Sequence, residues 1–106
     1  MRQWVGIHPK YLCRKHLLGE HVEQHMAAEW IKNGHKLGRL QDKGFIDPGR
    51  IRQRHDACAK EMVKRGYNHQ SPLDYEDEKR CNNTNKERNK RDLTGRCKEC
   101  RARMRR

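Results

Sequence analysis

The sequence predicts an all-α protein: a compact single helical domain of two main helices plus shorter helical or loop segments, followed by a basic, flexible C-terminal tail. Three observations carry this reading. Two stretches repeat their apolar residues with a helical period and close on helix-stop residues. A length of 106 residues leaves room for one domain. Hydrophobic residues make up only 32% against 38% charged, too few to bury the whole chain.

The elements follow in chain order. Met1 to Tyr11 mixes Trp4, Val5, Ile7 and Tyr11 with His8-Pro9, which predicts an ordered arm whose aromatics dock on the body, because a residue before proline is pushed out of the helical region. From Leu12 to about Lys32, Leu12, Leu18, Val22, Met26 and Trp30 fall in one helical arc, with Arg14, His21 and His25 opposite; Asn33-Gly34 ends the helix. Lys36, Arg39 and Lys43 alternate with Leu37, Leu40 and Phe45 in the next stretch, a basic loop pinned by three apolar side chains. Asp47-Pro48 reads as an N-cap followed by proline at the first helical position, and Gly66 supplies the left-handed stop after Arg65. In this second helix Ile51, His55, Cys58, Ala59 and Met62 share the inward arc, while Arg50, Arg54, Lys60 and Lys64 form an outer flank. Tyr67 to Leu73 reads as a folded-back turn. The domain is expected to span 1–75 and the tail 76–106, since from Lys79 onward there are 12 basic residues against three acidic ones and very few apolar ones. Such a segment stays extended unless metal or DNA orders it.

A formal charge of +12 and a pI near 9.9 point to a polyanionic partner, because each Lys or Arg set against a phosphate releases condensed counterion. Duplex DNA is the expected partner, bound by a monomer. No 18-residue apolar run exists and the first residues lack an apolar leader core, so no membrane is expected and the location is read as intracellular, cytoplasm or nucleoid. Five cysteines are an odd number without regular spacing, which favours reduced thiols over a disulfide framework. Cys97 and Cys100, two residues apart, can bite one zinc ion, with Cys81 and one histidine such as His69 completing four ligands. The alternative is free thiols in a tail, with no cofactor. Cys13 and Cys58 read as core residues, as does His55; His21 and His25 form a further i, i+4 pair.

His16, Glu20, Glu23 and Ala27 step along one ridge of the first helix, bordering its apolar arc. Burial at that border raises the pKa of a glutamate, which suits Glu23 to hold or deliver a proton, although a glutamate on a helix face is commonly just solvated.

The segment Leu12-Cys13-Arg14-Lys15-His16-Leu17-Leu18-Gly19-Glu20-His21-Val22-Glu23, followed by Lys64-Arg65-Gly66-Tyr67-Asn68-His69, resembles the phage-type pyrimidine-dimer DNA glycosylases, the endonuclease V family. The resemblance covers about Leu12 to Pro72. It implies a helical domain that kinks damaged duplex, flips out a base, cleaves the glycosidic bond at a pyrimidine dimer and then cuts the abasic strand as a lyase. In the family a backbone amine at the processed N-terminus attacks the sugar and forms an imine, and a glutamate on the first helix, matched here by Glu23, assists. The expected catalytic set is therefore Glu23, His16 and the terminal Met1 and Arg2. The expected DNA-contact set is Arg14, Lys15, Arg39, Lys43, Arg50, Arg54, Lys64, Tyr67, Asn68 and His69, with Trp4 and Tyr67 available for base stacking.

Two departures from the family pattern stand out. The family type enzyme has a small residue at position 2, exposed by removal of the initiator methionine; here it is Arg2, a large residue that generally blocks removal and leaves the amine on Met1. An aromatic C-terminal segment is replaced by the Arg-rich tail. Three functions are thus compatible with the sequence: a glycosylase and abasic lyase, a non-catalytic DNA-binding protein on the same scaffold, and a metal-dependent nuclease using the histidines and the cysteine pair.

Overall fold

A computed structural model describes residues 3–36, 46–69, 72–77 and 86–105. The arm comes first and is indeed not an α-helix. Trp4, Val5 and Ile7 are buried, and the His8 ring accepts from the Lys10 amide at 3.0 Å to start a 3-10 turn over Pro9–Tyr11. Four α-helices follow among the described residues: α1 (Arg14–Lys32), α2 (Ile51–Lys64), α3 (Lys86–Arg96) and α4 (Lys98–Met104). No strand occurs among those residues. The all-α single domain expected from the sequence is what forms.

α1 and α2 pack against each other, and α2 and α4 both close on the 3-10 turn. One apolar cluster gathers Trp4, Ile7, Leu12, Leu17, Cys58, Met62, Leu93 and Cys100; a second gathers Ala27, Ala28, Ile46, Ile51 and Tyr75 at the far end of α1. Arg65 fastens the two halves: paired with Glu61 at 3.0 Å, it also donates to the carbonyls of Pro9, Lys10 and Leu12. Gly66 ends α2 with φ of 87°, the left-handed conformation that its lack of a side chain permits, and the Tyr67 amide donates back to Met62.

Four expectations need correction. The face of α1 that packs inward is Leu17, Glu20, His21, Gln24, Ala27 and Ala28, whereas Val22, Met26 and Trp30 are 51%, 47% and 43% exposed. His21 therefore lies on the inner side, since the inward face satisfies its polar groups against other elements instead of excluding them. α2 begins at Ile51, three residues after Pro48. Asp47 instead closes a turn by accepting from Gly49, and the first amides of α2 are capped by Asp77, which accepts from Arg52 and Gln53 at 2.7 and 3.1 Å. Arg54 turns inward to Glu20 rather than standing on the outer flank with Arg50, Lys60 and Lys64, its side chain 10% exposed.

The fourth correction concerns 86–104, expected to be extended and found helical and docked. Leu93 and Cys100 are fully buried, with Cys97 and Met104 packed beside them. These positions step by four, three and four residues, so they form a single stripe that finds its apolar partner on the arm and α1. Buried Asn89 donates to the Val5 carbonyl at 2.9 Å, and Lys86 lies against Gly6, where a side chain would meet it at 3.0 Å. Cys81 and the basic loop 37–45, with Arg39 and Lys43, lie outside the described residues, as do Met1 and Arg2.

Candidate active site and nucleic-acid interface

The start of the chain is held by a polar clamp. Glu20 is buried on α1 and accepts from the Trp4 amide with both carboxylate oxygens, at 3.1 and 2.8 Å. Arg54 reaches across from α2, pairs with Glu20 at 3.3 Å and donates to the Trp4 carbonyl at 2.8 Å, and Gln24 donates to Glu20 at 3.2 Å. Burial raises the Glu20 pKa, while the Arg54 guanidinium and the Trp4 amide oppose that shift. Both backbone polar groups of Trp4 are thus fixed. One residue earlier, buried Gln3 donates from its side chain to the Glu23 carbonyl at 3.4 Å.

Glu23 sits one turn beyond Glu20 and differs from it in its hydrogen bonding. It is half-buried, and its Oε2 has no hydrogen-bond partner among the described residues. Burial raises its pKa; the positive N-terminus opposes the shift and the neighbouring Glu20 adds to it. The Glu20 carboxylate is thus taken up by Trp4, Arg54 and Gln24, whereas Glu23 Oε2 has no such bond among the described residues.

The family model described as pyrimidine dimer DNA glycosylase matches residues 1–75. The chain belongs to that family. No curated protein and no solved structure shows a significant match. As in any pyrimidine dimer DNA glycosylase, the substrate is DNA, and the basic groups of this chain can be sorted by whether they are free to meet it. Arg14, Lys15, Arg50, Lys64 and Asn68 are exposed. Arg14 stands over the Tyr67 ring at 5.5 Å, and Arg50 leans on Asp47 at 3.4 Å. Arg54 is spent on the clamp. A groove of about 620 Å³ between the arm, α2 and α3 is lined by Arg50, Arg54, Lys86 and Lys90 with His8 and Tyr11. Glu23 is not among its lining residues, so this glycosylase-family chain presents the groove as a basic surface apart from that carboxylate. No helix among the described residues is long and apolar enough to cross a membrane.

Five of the seven histidines lie at two places in the helical body. His21, His55 and His69 come together where α1, α2 and the turn after Gly66 meet, with His25 edge-on to His21 and His55. His21 and His69 share a 2.9 Å contact between their Nε2 atoms, a hydrogen bond in which one ring donates. Burial, then the neighbouring rings of His55, His25 and His69, lower the His21 pKa to about 4, so it is neutral at physiological pH. His69 is therefore joined to α1, not to the tail cysteines. His16, expected near the chemistry, instead faces Cys13, Cys97 and Cys100, with the edge of its ring toward Trp4 at 6.2 Å.

Sequence reasoning missed Gln3, the clamp of Glu20 and Arg54, and the contribution of Lys86 and Lys90. The ridge His16-Glu20-Glu23 pointed to the first of the clamp residues. Nothing local marks Arg54, because its partner lies 34 residues away.

Proposed function

We propose that the protein is a DNA glycosylase with abasic-site lyase activity on dimer-containing duplex, using the N-terminal amine as nucleophile and Glu23 as its acid–base partner. The observation that supports this reading is Glu23: a half-buried carboxylate with a raised pKa and an oxygen that has no partner among the described residues, next to the clamped start of the chain. Gln3 is bonded to the Glu23 backbone, and two extended residues span at most about 7 Å, so the amine has a short tether to that carboxylate.

The chemistry follows from ordinary reactivity. An α-amine has a pKa of about 7.7–8.0, leaving a useful fraction unprotonated at neutral pH without special activation. Its lone pair attacks the sugar C1′, and the pyrimidine departs with the bonding electrons and takes up a proton. Negative Glu23 stabilises the positive charge that develops on the sugar. Opening of the sugar ring gives a protonated imine, which draws electrons from C2′; loss of a C2′ proton to the carboxylate then expels the 3′ phosphate. Exposed Arg14, Lys15, Arg50 and Lys64 orient the backbone through phosphate contacts, which position the duplex without reading sequence. Damaged base pairs cost less to unstack, and that difference supplies lesion preference.

Borohydride trapping tests the reading, because only an imine is reduced to a permanent protein–DNA crosslink. Glu23→Gln should keep duplex binding while strand cleavage falls by at least about 100-fold, the usual loss for a general acid–base group. Acetylating the amine should abolish trapping. Parent-like cleavage by Glu23→Gln would sink the assignment and leave a DNA-binding scaffold in its place. Mass analysis of the mature N-terminus identifies whether Met1 or Arg2 carries the amine.

A further inference from the structure

Four metal-ligating side chains meet at the seam between α1 and α4. Cys13 is the N-cap of α1 and His16 lies one turn in; Cys97 is the N-cap of α4 and Cys100 lies one turn in. The sequence thus offers the same two-residue spacing twice, once as Cys-x-x-His and once as Cys-x-x-Cys, with the two halves separated by most of the chain. Their ligand atoms all lie within 4.8 Å of one another.

The distances fit one ion. Tetrahedral zinc with Zn–S of about 2.3 Å and Zn–N of about 2.0–2.1 Å requires S···S edges of about 3.8 Å and S···N edges of about 3.6 Å. The Cys13 and Cys97 sulfurs are 3.7 Å apart, Cys100 Sγ and His16 Nδ1 are 3.6 Å apart, and Cys13 Sγ and His16 Nδ1 are 3.2 Å apart. Backbone amides already point at two of the sulfurs: Cys13 N–H donates to Cys100 Sγ at 3.2 Å and Cys100 N–H to Cys97 Sγ at 3.3 Å. Such donors stabilise thiolates and orient them toward a metal. The His21–His69 contact, by comparison, is a direct hydrogen bond at 2.9 Å, shorter than an N···N edge around zinc.

We infer that Cys13, His16, Cys97 and Cys100 bind one structural zinc ion that clasps α3 and α4 to the glycosylase body. Three thiolates and one imidazole fill all four positions, so no coordination site is left for substrate. Two ligands come from the stretch matched by the family and two from beyond residue 75. The ion therefore serves the added segment rather than the family chemistry, and His16 acts in structure. The inference stands whether or not the glycosylase reading does.

The test uses the full chain purified with thiols protected. Metal analysis should find one zinc per chain, released when the thiols are blocked by a mercurial. Replacing zinc with cobalt should give thiolate-to-cobalt charge-transfer absorbance together with the visible bands of a tetrahedral ion, a signature the histidine cluster alone cannot produce. Cys97→Ser with Cys100→Ser should abolish it, Cys58→Ser should leave it intact, and His16→Cys should retain the ion with altered bands. Chelation should lower the melting temperature of the parent chain. A reduced, folded parent that shows no charge-transfer band on cobalt addition overturns the inference. So does a Cys13–Cys97 disulfide under protected conditions, or unchanged metal content in the double variant.

Discussion

Replacing Arg54 with methionine isolates the value of the clamp that holds the start of the chain. Methionine keeps much of the apolar stem but removes the guanidinium, which is bonded at 3.3 Å to Glu20 and at 2.8 Å to the Trp4 carbonyl. Glu20 is then a buried carboxylate facing only the Trp4 amide and Gln24, and the Trp4 carbonyl loses its charged donor. Stranding one member of a buried ion pair costs about 3–5 kcal/mol. A domain of this size loses about 4–8 °C of melting temperature per kcal/mol, so the lower bound alone predicts a fall on the order of 12–24 °C. Without its cation Glu20 escapes by protonating. Its folded pKa then stands further above the unfolded value, the native state binds the extra proton, and the variant gains stability as the pH is lowered toward the ordinary carboxylate range. Adding Glu20→Gln should return much of the loss, giving a large coupling in a double-mutant cycle. Thermal melts of the four proteins over a pH series measure all of this. A loss below about 1 kcal/mol for Arg54→Met, or additive single effects, would show that the clamp contributes little.

Acid should weaken the histidine cluster: His21 is neutral when folded, with its pKa lowered to about 4, so between 6.5 and 4 the unfolded chain binds the extra proton and stability falls with pH, by at most about 1.4 kcal/mol per unit for this one group. His21→Gln should flatten that slope in acid-unfolding curves, and an unchanged slope would remove His21 as its source. Leu93→Ala should cost about 2–5 kcal/mol in denaturant melts, because the side chain is fully buried between α3 and the arm; a change within experimental error would mean that the segment is not packed. Duplex affinity should fall steeply with salt, each neutralised phosphate contributing a log–log slope of about −0.9, and a flat dependence would exclude the basic surface as the DNA contact.

The two long helices were legible because their ends are written in single residues: Gly34 and Gly66 both adopt positive φ where the chain leaves a helix. The face of α1 was not legible from apolarity. Its buried side carries Glu20, His21 and Gln24, whose partners Trp4, Arg54 and His69 come from other parts of the chain, while Val22, Met26 and Trp30 face outward. Hydrophobic period ranks residues by their own transfer energy and is blind to a polar group satisfied at long range. The helices after residue 85 were missed for a related reason. Composition averages over a basic segment, but four positions, Leu93, Cys97, Cys100 and Met104, suffice to dock it when the opposing surface already exists. Glu23 was singled out by its place at the border of burial and by resemblance together; that its Oε2 has no partner among the described residues, while Glu20 is bonded to Trp4, could be seen only in three dimensions. Cys97 and Cys100 were visible as a pair, yet their companions Cys13 and His16 lie more than 80 residues upstream.

The bonds that fix the arm also set an order of events during synthesis. Trp4 leaves the ribosome before its partners: its carbonyl waits for Arg54, 50 residues later, and the Val5 carbonyl waits for Asn89, 84 residues later. Contacts of such separation form late, after the loops they close have been drawn together. A chain broken off before α3 therefore carries an arm that lacks the Asn89 bond and the cover of Leu93, and one broken off before α2 also lacks Arg54. Such copies keep positive charge for nucleic acid while the arm is unanchored, so the geometry fixed at Trp4 and Val5 arrives only once α2 and α3 have been made.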